Sequence, residues 1–108
     1  MPTYNKLVRD LIPQIIENDG KTPVTRVLSG AEFAEEVKRK LAEELSEYEE
    51  AATSRERLEE LADLLELVYA AASLEGADED ALQVIREEKR ALRGSFDERL
   101  YLVEVQDD

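Results

Sequence analysis

Two stretches of this chain carry apolar residues at intervals of three and four, the spacing of a helix with one side turned inward. In the first, Phe33, Ala34, Val37, Leu41, Leu45 and Tyr48 fall on one stripe. In the second, Leu61, Leu64, Leu65, Leu67, Val68 and Ala71 form a wider arc. Ser29 and Glu32 have the capping-box spacing that opens the first helix, which runs to about Ala52. Thr53 and Glu56 repeat it and open a second long helix that runs to Gly76. Asp10 begins a short helix, with Pro13 tolerated in its first turn and Gly20 at its end. Asp78 caps a fourth helix from Glu79 to Arg93, closed by Gly94. TPVTRVL (Thr22 to Leu28) and RLYLVEV (Arg99 to Val105) are β-branched or alternating, and are expected to be strands that pair with each other. The expected fold is all-α, an antiparallel bundle of about four helices with a minor two-stranded β element. It forms a single domain over residues 1–108. The link between the two long helices is very short, so they should pack antiparallel.

The same projection places acids where oil is expected. A helix advances about 100° per residue. Glu44 therefore lies inside the first stripe, seven residues after Val37, and Glu47 sits at its edge. Glu60 shares the angle of Leu67 and Ala71 on the second helix, and Asp63 borders the arc. Each helix thus offers two carboxylates at i, i+3 spacing, leaning towards the other helix. Leaving several of them ionised away from water costs several kcal/mol each. A divalent cation supplies the missing charge, and facing acids from two helices are a recurrent way to hold one in a bundle. The plain alternative is that some acids fall near an apolar face by chance and a long Glu reaches out to water. Glu43, Glu49, Glu50, Glu59 and Glu66 point more nearly away; Glu43 is ambiguous and fits a supporting role beside a metal.

Composition narrows the chemistry. The 108 residues hold 27 acids against 14 bases, a formal net charge of −13, with no cysteine and no histidine. This excludes disulfides, zinc–thiolate sites, cysteine nucleophiles and histidine bases. A metal here is a hard ion held by oxygen, Mg²⁺ or Mn²⁺. The acidic surface disfavours nucleic acid and anionic membranes as partners. MPTYNKLVRDLIPQII has scattered charges and no long apolar run, so it reads as neither a signal peptide nor a membrane span, and a cytoplasmic location is expected.

Glu43-Glu44-Leu45-Ser46-Glu47 followed by Glu60-Leu61-Ala62-Asp63 resembles the EExxE…ExxD signature of the MazG-like, all-α nucleoside triphosphate pyrophosphohydrolases. The opening YNKLVRDLIPQII and the closing KRALRGSF are similar to a small single-domain branch of that superfamily, so the resemblance spans nearly the whole chain. It implies cleavage of a nucleoside triphosphate between the α and β phosphates, giving a monophosphate and pyrophosphate. It also implies Glu44, Glu47, Glu60 and Asp63 as metal ligands, and Glu43 as a further acid of the catalytic set. Phosphoribosyl-ATP pyrophosphohydrolases are relatives of similar length. The Ser-Tyr-Thr segment usual before their acidic helix is missing here, so noncanonical or surplus nucleoside triphosphates are the preferred substrate class.

Phosphates need cations. Lys6 and Arg9 share a face if the N-terminal segment is helical there, and Lys89, Arg90 and Arg93 cluster before Gly94-Ser95-Phe96. The plain readings are surface salt bridging for the first pair and helix-dipole pairing for the second group. Tyr48 and Phe96 either face a base or belong to the core. Leu61, Leu65, Val68 and Ala72 extend the second arc beyond what one hairpin covers, so a homodimer or homotetramer is expected. The competing functional class is a non-enzymatic helical dimerisation module, which uses the same apolar stripes and has no need of acids inside them. A calcium-sensor reading fails, because GADEDALQVIRE lacks the loop's ligand spacing and central glycine.

Overall fold

The computed structural model describes residues 4–107. It contains four helices: α1 (Ile12–Asn18), α2 (Gly30–Glu50), α3 (Ser54–Leu74) and α4 (Glu79–Arg93). Local chemistry accounts for most boundaries. The Ser29 hydroxyl accepts a hydrogen bond from the Glu32 amide, while the Glu32 carboxylate accepts one from the Ser29 amide, so both halves of the capping box form. At α3 only the first half appears. The Thr53 hydroxyl accepts from the Glu56 amide, but the Glu56 carboxylate reaches past Thr53 to the Ala52 amide at 3.1 Å. The three-residue link is therefore tied at both ends. The Asp78 carboxylate caps α4 through the Ala81 amide at 2.8 Å.

Helix α1 starts two residues later than Asp10 predicts. A turn from the Arg9 carbonyl to the Ile12 amide intervenes, and Leu11 at the N-cap supplies no side-chain bond. The left-handed backbone at Gly20, φ 80°, then lets the chain reverse.

Helices α2 and α3 form the body, an antiparallel hairpin packed along its length. Helix α4 meets only α3. The Gln83 side-chain amide donates to the Tyr69 hydroxyl at 3.0 Å and fixes that junction. The enclosed interior is small: Val37, 1% exposed, is the single buried apolar side chain among the described residues. Leu61, Leu65 and Val68, the part of the α3 arc expected to extend beyond what one hairpin covers, form a stripe open to solvent, and Leu45 on α2 is exposed as well. One hairpin has one inner face, and α3 carries more apolar arc than that face can cover.

The two-stranded β element does not form. No strand is present among the described residues, and 22–28 and 100–107 make no backbone hydrogen bonds to other elements. An alternating pattern yields a strand only beside a partner edge, and the segment after α4 runs clear of the body, with Phe96 98% exposed. No described helix is long and apolar enough to cross a membrane.

Candidate metal centre

The hairpin brings the predicted acids together. One oxygen each from Glu44, Glu60 and Asp63 lie within 4.8 Å of one another, and the same holds for Glu43, Glu44 and Glu47. Glu44 belongs to both groups and joins the two helices' contributions. It is also the one buried charged residue among those described, 7% exposed. Glu60 and Asp63 are half-buried, while Glu43 and Glu47 lie at the open edge. The projection that set Glu44 among Val37 and Leu41 thus matches its position between the helices.

Two oxygens in this cluster have nothing to bond. Glu44 Oε2 and Glu60 Oε2 are both shielded from solvent and without a hydrogen-bond partner. Burial pushes the Glu44 carboxyl up to about 8, and the neighbouring Glu60, Glu47 and Asp63 carboxyls add to the rise. A group in this state either keeps its proton or meets a positive charge. Lys40 is the nearest cation, 3.9 Å from Glu44 and 3.5 Å from Glu43. At 3.9 Å it lies beyond hydrogen-bond range of Glu44, so it lowers the local negative potential without satisfying the orphaned oxygen. The donor set is all oxygen, its members come from two rigid helices, and two of its oxygens lack partners. These features fit a hard divalent cation.

The remaining predicted site residues divide by position. Arg9 comes to the cluster: its guanidinium donates to Asp63 Oδ1 at 2.6 Å and stands 3.9 Å from Glu66. Lys6 lines the same cleft, its ammonium 5.6 Å from the Tyr4 ring centroid. The cleft, about 1040 Å³, runs between the N-terminal segment and the hairpin. Lys6, Arg9 and Lys40 stand in it beside Glu44 and Asp63, with Phe33, Leu67 and Tyr69 along its apolar walls. Lys89, Arg90 and Arg93 line no part of it. Arg90 and Arg93 sit in the last turn of α4, where they oppose the helix dipole. Tyr48 is half-buried and Phe96 is exposed, so Phe96 belongs to neither the core nor the cleft.

Sequence reasoning passed over Lys40. Its signal was its place one turn before Glu44 on the same helix face, which makes it a built-in partner for that acid.

Comparison with known proteins adds one relative. The chain is 44% identical over 54 residues to an uncharacterized protein of Mycolicibacterium smegmatis, a match covering 50% of this chain and 55% of that protein. The chain therefore spans about half the length of the relative it matches. No family model and no solved structure matches the chain.

Proposed function

We propose that this chain is a metal-dependent nucleotide pyrophosphohydrolase that cleaves a noncanonical or surplus nucleoside triphosphate between its α and β phosphates. The observation that carries the reading is Glu44: a buried carboxyl with an orphaned oxygen, within 4.8 Å of Glu60 and Asp63 from the facing helix. A merely structural acid on this face would be expected to swing out to water or find a donor. The resemblance of EExxE and ExxD to the MazG-like signature supports the same four ligands, Glu44, Glu47, Glu60 and Asp63.

Those carboxylates would hold Mg²⁺ or Mn²⁺. Bound there, such an ion offsets phosphate charge and makes an adjacent water more acidic. The chain's own groups do the rest. Arg9, Lys6 and Lys40 stand in the cleft beside the acids, placed to pair with phosphate oxygens. A carboxylate of the cluster, with Glu43 at its open edge, takes the proton as water attacks phosphorus and the α–β anhydride bond breaks. The apolar walls of the cleft offer a dry surface for the nucleoside. Lys89, Arg90 and Arg93 can take part only from a second copy, and self-association as a dimer or tetramer belongs to this proposal. The stripe of Leu61, Leu65 and Val68 supports it.

That open stripe also favours a second reading, a non-enzymatic dimerisation module. The two separate in one experiment. Purified protein is assayed with Mg²⁺ against a panel of nucleoside triphosphates, reading pyrophosphate release, beside Glu60→Gln. The enzyme reading expects turnover on part of the panel, lost in Glu60→Gln with the fold retained. No turnover anywhere, together with no effect of Mg²⁺ on melting, leaves the module. Near-normal turnover in Glu60→Gln removes Glu60 from the ligand set.

A further inference from the structure

We propose that the C-terminal segment is exchanged between copies of this chain, residues 99–105 of one copy pairing antiparallel with residues 22–28 of another. Both segments have strand character and neither has a backbone partner among the described residues. Among the described residues, no backbone group from 22 to 28 or from 100 to 107 bonds another backbone group. Their large apolar side chains stand in water: Val24 and Val27 are each 97% exposed, and Leu100, Tyr101, Leu102, Val103 and Val105 are nearly as open. Unpaired backbone edged with such residues is a template for strand addition.

The dimensions say that the chain's own body does not supply the cover. A 21-residue helical hairpin is about 32 Å long, whereas the molecule extends 68 Å along its longest axis. The radius of gyration is 18.5 Å, against about 13 Å for a compact chain of this length. The accessible surface is 9771 Å², where about 6100 Å² is expected at this mass. The excess, about 3700 Å², is several times the roughly 800 Å² that one partner contributes to a standard interface. Pairing through the α3 stripe alone leaves 22–28 and 99–105 open.

A second copy is the occupant that satisfies both segments at once. Each copy donates one 99–105 segment and accepts one at 22–28, so a two-fold arrangement closes with both segments of each copy paired. The antiparallel, end-aligned register sets Val24 opposite Val103, Val27 opposite Leu100 and Arg26 opposite Tyr101, so apolar side chains meet across the ladder at two of these positions. Pro23, which has no amide hydrogen to give, lies near the end of its strand, where that loss is tolerated. The acceptor segment is already anchored: Arg26 holds both carboxylate oxygens of Glu32 at the start of α2, at 2.7 and 3.2 Å.

The exchange rests on self-association and not on the metal. The chain has no cysteine, so introduced thiols report without background. Full-length copies carrying Val24→Cys are mixed with isotope-labelled copies carrying Val103→Cys, oxidised mildly and analysed by mass spectrometry. The expected product is an interchain 24–103 link, since a disulfide forms only where the backbones approach closely. In the unmutated chain, amide exchange across 24–28 and 100–105 is expected to slow together, about tenfold or more, as concentration is raised through the association range. A chain that sediments as a dimer with neither link nor protection overturns the exchange and leaves self-association standing. A link confined to one chain in the double variant overturns it too, as does protection of 100–105 with 22–28 left open. A monomer at every concentration overturns both ideas.

Discussion

Glu44 sets the pH behaviour of the metal-free protein. Its carboxyl is raised from 4.5 to about 8, chiefly by burial, so the folded chain keeps a proton that the unfolded chain has released. The stabilisation from this group is complete below about pH 4.5 and is lost as pH rises through about 8, because charging Glu44 then opposes folding. Glu32 has the opposite sense. Arg26, and then the Ser29 amide, hold it down to about 2, so its contribution is lost as pH falls towards that value. The melting temperature of metal-free protein should therefore decline from mildly acidic to mildly alkaline pH. Glu44→Gln, which cannot ionise, should flatten that decline. Added Mg²⁺ should reverse it, since metal binds the ionised cluster of the folded state. A wild-type profile as flat as that of Glu44→Gln would count against the buried-acid account. Arg9 supplies a second test at this scale. Its contact with Asp63 is more than a third exposed on both sides, and such pairs are worth about 0.2–1 kcal/mol. Arg9→Gln removes a competing cation from Asp63, so Mn²⁺ measured by calorimetry without nucleotide should bind up to about fivefold tighter. Nucleotide should bind more weakly to the same variant. Unchanged or weaker metal binding would show that Arg9 does not compete with the ion.

At the scale of elements, the hairpin that builds the site depends on its caps. The Ser29 hydroxyl and the Glu32 carboxylate close both sides of the α2 start, and Arg26 ties the preceding segment to the same glutamate. Ser29→Ala should cost about 1 kcal/mol of stability in denaturant titration. It should leave the denaturant dependence of the unfolding free energy unaltered, since the surface exposed on unfolding does not change. A loss well below this would mean that the Glu32–Arg26 pair holds the helix start alone. Helix α4 behaves differently. Its ends are well made, with Glu79 and Asp80 in the first turn and Arg90 and Arg93 in the last. Yet Val84, Ile85 and Leu92 remain exposed, because α3 is the one helix that α4 meets and their contact is small. Good capping makes it a helix without giving it a place to pack.

The whole molecule is short of interior. A chain of 108 residues whose one fully enclosed apolar side chain, among the described residues, is Val37 has little to set against the entropy of ordering its backbone. Sedimentation equilibrium at low micromolar concentration should therefore show a dimer or larger species. Leu65→Lys, in the middle of the exposed α3 stripe, should shift the protein towards monomer and lower its melting temperature together. A well-folded wild-type monomer would refute self-association while leaving the acid cluster intact.

The helices and the acid faces were legible in the sequence because both are local. Ser29, Thr53 and Asp78 act on amides within three residues, and the helical period alone sets Glu44 beside Val37 and Glu60 beside Leu67. The three-residue link then leaves the two long helices little choice but to face each other. Other features depended on what lies across space. Whether TPVTRVL and RLYLVEV become strands depends on a partner edge, which no local pattern supplies, and among the described residues of one copy none is presented to them. The width of the α3 arc already marked Leu61, Leu65 and Val68 as more than one hairpin covers, and they do stand outside. The pairing of Arg9 with Asp63, 54 positions apart, brings the irregular segment before α1 to the unbalanced charge of the cluster. Side-chain period and capping act over one turn of chain and can be read residue by residue. Burial and long-range charge pairing belong to surfaces that exist only once the hairpin has closed.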